Sequence, residues 1–214
     1  MASRDYGQYC GVTRALELIG ERWALLIVRD LLVGPRRYGE LQHGLPRIPS
    51  NILAARLKEL QEAGIVRRIP RVRQIVYELT PYGRELEDVV LALGRFGFKA
   101  LGDPRDEQVV TADSLTMTFR TAFQPAIASE LPRTSYAALV GPTALRLDVS
   151  GAHLQVARLD EAPADLRFES GPDIRRLISG ETSADAAIAD ATVRIVAGPP
   201  ELLHRFARTF HLAA

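Results

Sequence analysis

Between Gly34 and Arg68 the chain reads GPRRYGELQHGLPRIPSNILAARLKELQEAGIVRR. A basic turn leads into a short apolar-periodic helix, a second turn, another helix closed by Gly64, and a basic, β-prone run. This succession constrains the fold more than any other part of the chain. Two short helices so close in sequence must share one small core and turn their remaining faces outward. The outward faces carry arginines with little acid nearby to pair them.

The second of these helices opens at Ser50. Leu53, Leu57 and Leu60 fall within a narrow arc at about 100° per residue, whereas Asn51, Ala55, Lys58 and Glu62 point the opposite way, with Ala54 and Glu59 at the flanks. Upstream, Thr13 is placed to cap a first helix bearing Ala15, Leu16, Leu18 and Ile19, and Gly20 breaks it. Trp23, Leu26, Ile27, Leu31 and Leu32 recur at helical spacing in a second helix that Gly34-Pro35 stops. A short third helix, RYGELQHGL, buries Tyr38, Leu41 and Leu45. Downstream, IVRRIPRVRQIVYELT reads as two strands about a turn near Arg71–Gln74. One long helix follows, with Leu86, Val90, Leu93 and Gly97 on a seam. That seam has no partner within so small a domain, so a homodimer through residues 82–100 is expected.

Helix, helix, short helix, turn, helix and two-stranded ribbon is the order of a winged helix-turn-helix. A recognition helix must fit a major groove only ~12 Å wide, present small or hydrogen-bonding residues outward, and be flanked by cations that meet phosphates. Ser50 and Asn51 supply hydrogen-bonding groups, Ala54 and Ala55 permit close approach, and Arg56 and Lys58 reach toward phosphates. Arg36 and Arg37 flank the helices, and Arg67, Arg68, Arg71 and Arg73 lie on the wing. Charge agrees: residues 1–100 sum to +5 and residues 101–214 to −4, hidden within a net +1. The basic half is expected to bind double-stranded DNA. Two-fold symmetry of a dimer would make the operator a near-palindrome.

A polar, proline-bearing break at Leu101–Asp113 separates two expected domains, 1–101 and 113–214, in an α+β chain. The second domain reads as a helix that Pro125 ends or bends, four strands, one or two helices, a closing strand and a terminal amphipathic helix. Its sheet is expected to be mostly antiparallel or mixed. Neither half holds an H-E-x-x-H, G-x-S-x-G, G-x-G-x-x-G or P-loop pattern, so no catalytic group, metal or cofactor is expected. The single cysteine, Cys10, excludes an intrachain disulfide and a cysteine zinc cluster. No apolar run reaches the ~18 residues of a membrane span and the N-terminus has no signal-like apolar region, so a cytoplasmic protein is expected. On the terminal helix Leu202, Phe206 and Phe210 recur every four residues. Such a face either fills a core or closes an apolar cavity.

The stretches ALELIGERWALLIVRDLLVGPRRYGELQ, IPSNILAARLKELQEAGIVRR and VYELTPYGRELEDVV, preceded by Cys10, resemble the HxlR-type transcriptional regulators over about residues 8–100. The resemblance implies a dimeric winged-helix regulator that binds operator DNA, often as a repressor. The wing is shorter here and lacks the Pro-Pro-Arg-Val usual before its tyrosine. Cys10 stands where some members carry a redox-sensing thiol. Residues 136–212 are similar to sterol carrier protein type-2-like domains, in which helices close over a mixed sheet around a tunnel for apolar molecules. Asp190 and Gly198-Pro199 depart from that pattern. This second resemblance implies an apolar effector held in part by Leu202, Phe206 and Phe210. Two rival readings are a redox switch through Cys10 with a purely structural second domain, and a lipid carrier with little DNA binding.

Overall fold

The computed structural model describes residues 5–72, 74–105 and 107–212. Residues up to Val90 gather into one compact unit and those from Leu91 into a second. In the first, α1 (Gly11–Ile19) and α2 (Ala24–Val33) precede a short strand β1 (Arg36–Arg37), α3 (Tyr38–Gly44) and α4 (Ser50–Glu62). The ribbon β2 (Val66–Arg71) and β3 (Gln74–Leu79) follows, then α5 (Pro81–Arg84) and the start of α6 (Glu87–Phe98). Ile27, Leu31, Leu41, Leu53, Leu57 and Leu60 are essentially inaccessible and form the core that the helical periodicities predict. The three strands pair antiparallel in the order β1-β3-β2, with Arg71 opposite Gln74 across the wing tip.

Three local expectations change. Cys10, not Thr13, occupies the N-cap of α1; Thr13 is buried within the helix. Trp23 lies ahead of α2 in a left-handed conformation, φ 82°, rather than inside the helix. The long helix after the wing is broken at Glu85-Leu86 into α5 and α6. Gly83 governs this corner: a Cβ there would come within 2.1 Å of the Ile65 carbonyl oxygen, so only glycine lets α5 pack so closely on the base of the wing. The Thr80 hydroxyl donates to the Gly64 carbonyl (2.6 Å) and accepts from the Gly83 amide (3.0 Å), fixing the same corner.

The second unit takes the C-terminal part of α6, from Leu91, and continues with α7 (Ala112–Ala122) and α8 (Pro125–Ser129). Pro125 opens α8 at its first position, where its missing amide has no helical partner to lose. Strands β4 (Thr134–Val140), β5 (Thr143–Ser150), β6 (His153–Arg158) and β7 (Leu166–Ser170) lead to helices α9 (Ile174–Ser179) and α10 (Ala184–Ala189). Strand β8 (Val193–Ala197) and helix α11 (Glu201–Thr209) close the unit. The sheet order is β6-β5-β4-β7-β8; β4 and β7 run parallel and the other neighbours antiparallel, so the sheet is mixed.

Phe206 and Phe210 sit inside the core of the second unit. Both are fully buried, their ring centroids 4.8 Å apart, and they pack against Phe119, Tyr136 and, for Phe206, Phe168 at 5.0–6.1 Å. Most of these contacts are edge-on, the arrangement that the ring quadrupoles favour. Leu202 is half-buried against the same cluster. The face that could have closed a cavity fills a core instead.

Candidate nucleic-acid interface

Helix α4 keeps Leu53, Leu57 and Leu60 inside and leaves Ser50, Asn51, Ala54 and Lys58 exposed, with Ala55 half-buried. The small outward residues let the helix backbone approach a groove wall closely. Its start is held in place by the Tyr38 hydroxyl on α3, which donates to the Ser50 carbonyl oxygen at 2.6 Å. Glu40 accepts from the Arg37 amide at 2.6 Å and so fixes the start of α3. The side chains of Ser50 and Asn51 have no protein hydrogen-bond partner among the described residues, which leaves them available to base edges.

The cations divide into two groups. Arg37, Arg68 and Arg71 are exposed and have no ion-pair partner among the described residues. Lys58 is exposed and its distance to Glu62 is 3.7 Å, a weak i,i+4 pair. Arg56, expected to reach a phosphate, is instead committed within the unit. It pairs with Glu21 at 2.9 Å and with Glu59, and its side chain is only 13% exposed. A guanidinium shared between two carboxylates supports the packing of α4 and has little charge left for DNA. Arg67 is half-committed, 2.7 Å from Glu78 across the ribbon. Arg36 donates to the Pro35 carbonyl oxygen at 3.0 Å. Arg73 lies outside the described residues.

Arg47 was not legible as a member of this set. It is exposed in the turn between α3 and α4, with no ion-pair partner among the described residues. A basic residue held between Pro46 and Pro49, directly before a helix with hydrogen-bonding residues at its start, is the signal that marks it.

Cys10 is exposed at the start of α1. Its sulfur closes no capping bond of ordinary geometry, yet the backbone amides of Thr13 and Val12 beside it favour the thiolate and lower the thiol pKa. Among the described residues no group of three or more His, Cys, Asp or Glu could hold a metal ion. No helix among them is long and apolar enough to cross a membrane.

A family model described as HxlR-like helix-turn-helix matches residues 18–104. Over 96 residues the chain is 42% identical to an uncharacterized HTH-type transcriptional regulator of Mycobacterium tuberculosis, covering 44% of this chain and 60% of that protein. It is 33% identical over 96 residues to another from Synechocystis, covering 44% and 71%. With the HTH-type transcriptional regulator YodB of Bacillus subtilis it shares 40% identity over 78 residues, covering 35% and 70%. A crystal structure of the HTH-type transcriptional regulator ytcD, 33% identical, superposes with a TM-score of 0.41 and covers 44% of this chain and 99% of that one. The chain thus spans about 60% of the length of the mycobacterial relative. With its helices, turn and wing in place and regulators of this kind matched over most of their length, the chain belongs to the HxlR-like helix-turn-helix family of transcriptional regulators.

Proposed function

We propose that this protein is a homodimeric repressor that binds a near-palindromic operator through α4 and the wing and answers to a small-molecule effector held by its second unit. One observation carries the DNA reading: the outward face of α4 offers Ser50 and Asn51, and neighbouring elements offer Arg37, Arg47, Arg68 and Arg71, all without side-chain partners among the described residues. Phosphates take the cations and base edges take the short polar groups. Exposed apolar residues support dimerisation. Val89, Leu93 and Phe96 follow one stripe of α6, and Tyr6, Tyr9, Val12 and Leu16 are exposed on and before α1. Side chains of this kind clustered on a surface are costly to leave in water, and a second copy of the chain would cover them. The mixed five-stranded sheet with flanking helices supports the sterol-carrier-like reading of the second half.

The deciding experiment is a DNA-binding titration against salt, using an operator selected from a random-sequence library. Binding should be sequence-selective and weaken steeply as salt rises. Equal affinity for all sequences, or none, rejects the reading. A second reading is favoured by Cys10 alone, an exposed thiol of lowered pKa at a helix start. Cys10→Ser should leave DNA binding nearly intact; an oxidant response present in the wild type and lost in this variant would establish the redox switch.

A further inference from the structure

We infer that the second unit holds its small-molecule site in a cavity beside the aromatic core, where it takes a neutral, mainly apolar molecule of one or two rings. The inference rests on the regulator reading for its role as an effector site, and deepens it by naming place and chemistry.

The cavity measures about 240 Å³. Leu115 on α7, Val140 on β4 and Ile178 on α9 line it, all buried. Leu101 and Val109 line it too yet stay 55% and 61% exposed, which marks its mouth. Size limits the occupant. An apolar cavity of ~150 Å³ stays dry and accepts benzene, whereas drug-sized ligands occupy roughly 300–1,000 Å³. The volume therefore suits one or two rings and is too small for a sterol or a long acyl chain.

Arg175 sets the polarity. Its terminal nitrogens donate to Glu181 and to Asp103, the latter at 3.2 Å, and Arg176 donates to the same Asp103 at 3.0 Å. The Nε–H has no partner among the described residues but is buried out of reach of a water-sized probe, so Arg175 offers the cavity no free donor. Because Asp103 and Glu181 already neutralise the guanidinium, an anionic ligand would meet two carboxylates, and a neutral molecule fits better.

The walls also explain how occupancy could be transmitted. Phe98, the last residue of α6, lines the cavity, and so do Leu101, Gly102 and Pro104 around the Asp103 latch. A molecule entering bears on the end of the helix that carries exposed Leu93 and Phe96. It can change DNA affinity only by the difference in its affinity for the two arrangements.

The test titrates the full chain with the neutral two-ring ketone dye Prodan, read by its fluorescence. Saturable binding of one dye per chain is expected. Thr118→Trp, which fills the cavity from α7, should weaken it about tenfold or more. Naphthalene, apolar and of the same ring size, should displace the dye competitively. Should Thr118→Trp fail to fold, Val109→Trp at the exposed mouth replaces it. No saturable dye binding, or full affinity in a cavity-filled variant that melts like the wild type, overturns the site. Operator binding without dye binding overturns the cavity alone. Dye binding without salt-dependent DNA binding upholds the cavity and rejects the regulator. Dye binding that leaves operator affinity unchanged rejects its role as an effector site.

Discussion

Asn51 and Lys58 lie two turns apart on the exposed side of α4, yet their loss should be felt differently. Asn51→Ala should relax base preference and cost ~1–3 kcal/mol at the selected operator, whereas Lys58→Ala should weaken all sequences alike and reduce the salt slope by about one. A binding series in which neither variant departs from wild type would remove α4 from the interface. In the second unit Tyr136 makes another residue-level prediction. Its hydroxyl is buried near Thr134 and Thr209 yet closes no hydrogen bond of ordinary geometry among the described residues, and burial pushes its pKa from 10.0 up to about 12. The folded state favours the neutral phenol, so this stability is complete below pH 10 and is lost as pH rises through 12. By linkage the loss is on the order of 2–3 kcal/mol. Tyr136→Phe should be neutral or stabilising near pH 7 and move alkaline unfolding upward; a lower midpoint in chemical denaturation at both pH values would contradict this. Arg56 shows where a helical wheel stops being informative. Its pairing with Glu59 is local, but its partner Glu21 stands far away in sequence and meets it only through packing.

At the scale of elements, the wing and α6 can be tested as units. Arg68→Ala with Arg71→Ala should reduce the salt slope of DNA binding by about two and leave base preference largely unchanged. An unaltered slope would mean the ribbon faces away from phosphates. Phe96, 78% exposed on the stripe with Val89 and Leu93, should be covered in a dimer. Phe96→Asp should then shift the sedimentation profile toward monomer, and a wild type already monomeric at tens of micromolar would refute dimerisation. The seam at Leu86, Val90, Leu93 and Gly97 was legible only in part: Leu93 and Gly97 are exposed, while Leu86 and Val90 are half-buried in their own chain. Periodicity marks an apolar face but cannot say how much of it the same chain will cover.

For the whole molecule, two compact units with separate cores should each respond to damage of their own. Leu57→Ala should destabilise the first unit by ~2–5 kcal/mol and Phe206→Ala the second by ~3–5 kcal/mol. Calorimetry should show each variant lowering a different part of the unfolding profile; a single transition moved equally by both would show that the units unfold together. The compact units meet at Val90/Leu91, whereas composition changes at the polar stretch after Leu101. Phe98 is buried in the second core, and Gly94 lies so close to Thr121 that a Cβ there would come within 2.9 Å of its hydroxyl oxygen. The end of α6 is therefore built into the second unit, although the sequence reads it as the tail of the first.

What the amino-acid sequence determined by itself is the order of elements: the short helices before the wing, the ribbon turn beyond Arg71, and the alternating strands of the second half. Each of these is set within a few residues by apolar period and by Gly or Pro punctuation. The tertiary structure alone decided that Arg56 serves packing, that β4 and β7 run parallel, and that Phe206 and Phe210 fill a core while an open volume lies against Leu115 and Arg175. A strand or helix face declares that it will be buried, but not against what. The free energy of burial is gained equally from any apolar neighbour, so only the packing of elements distant in sequence distinguishes a filled core from a cavity.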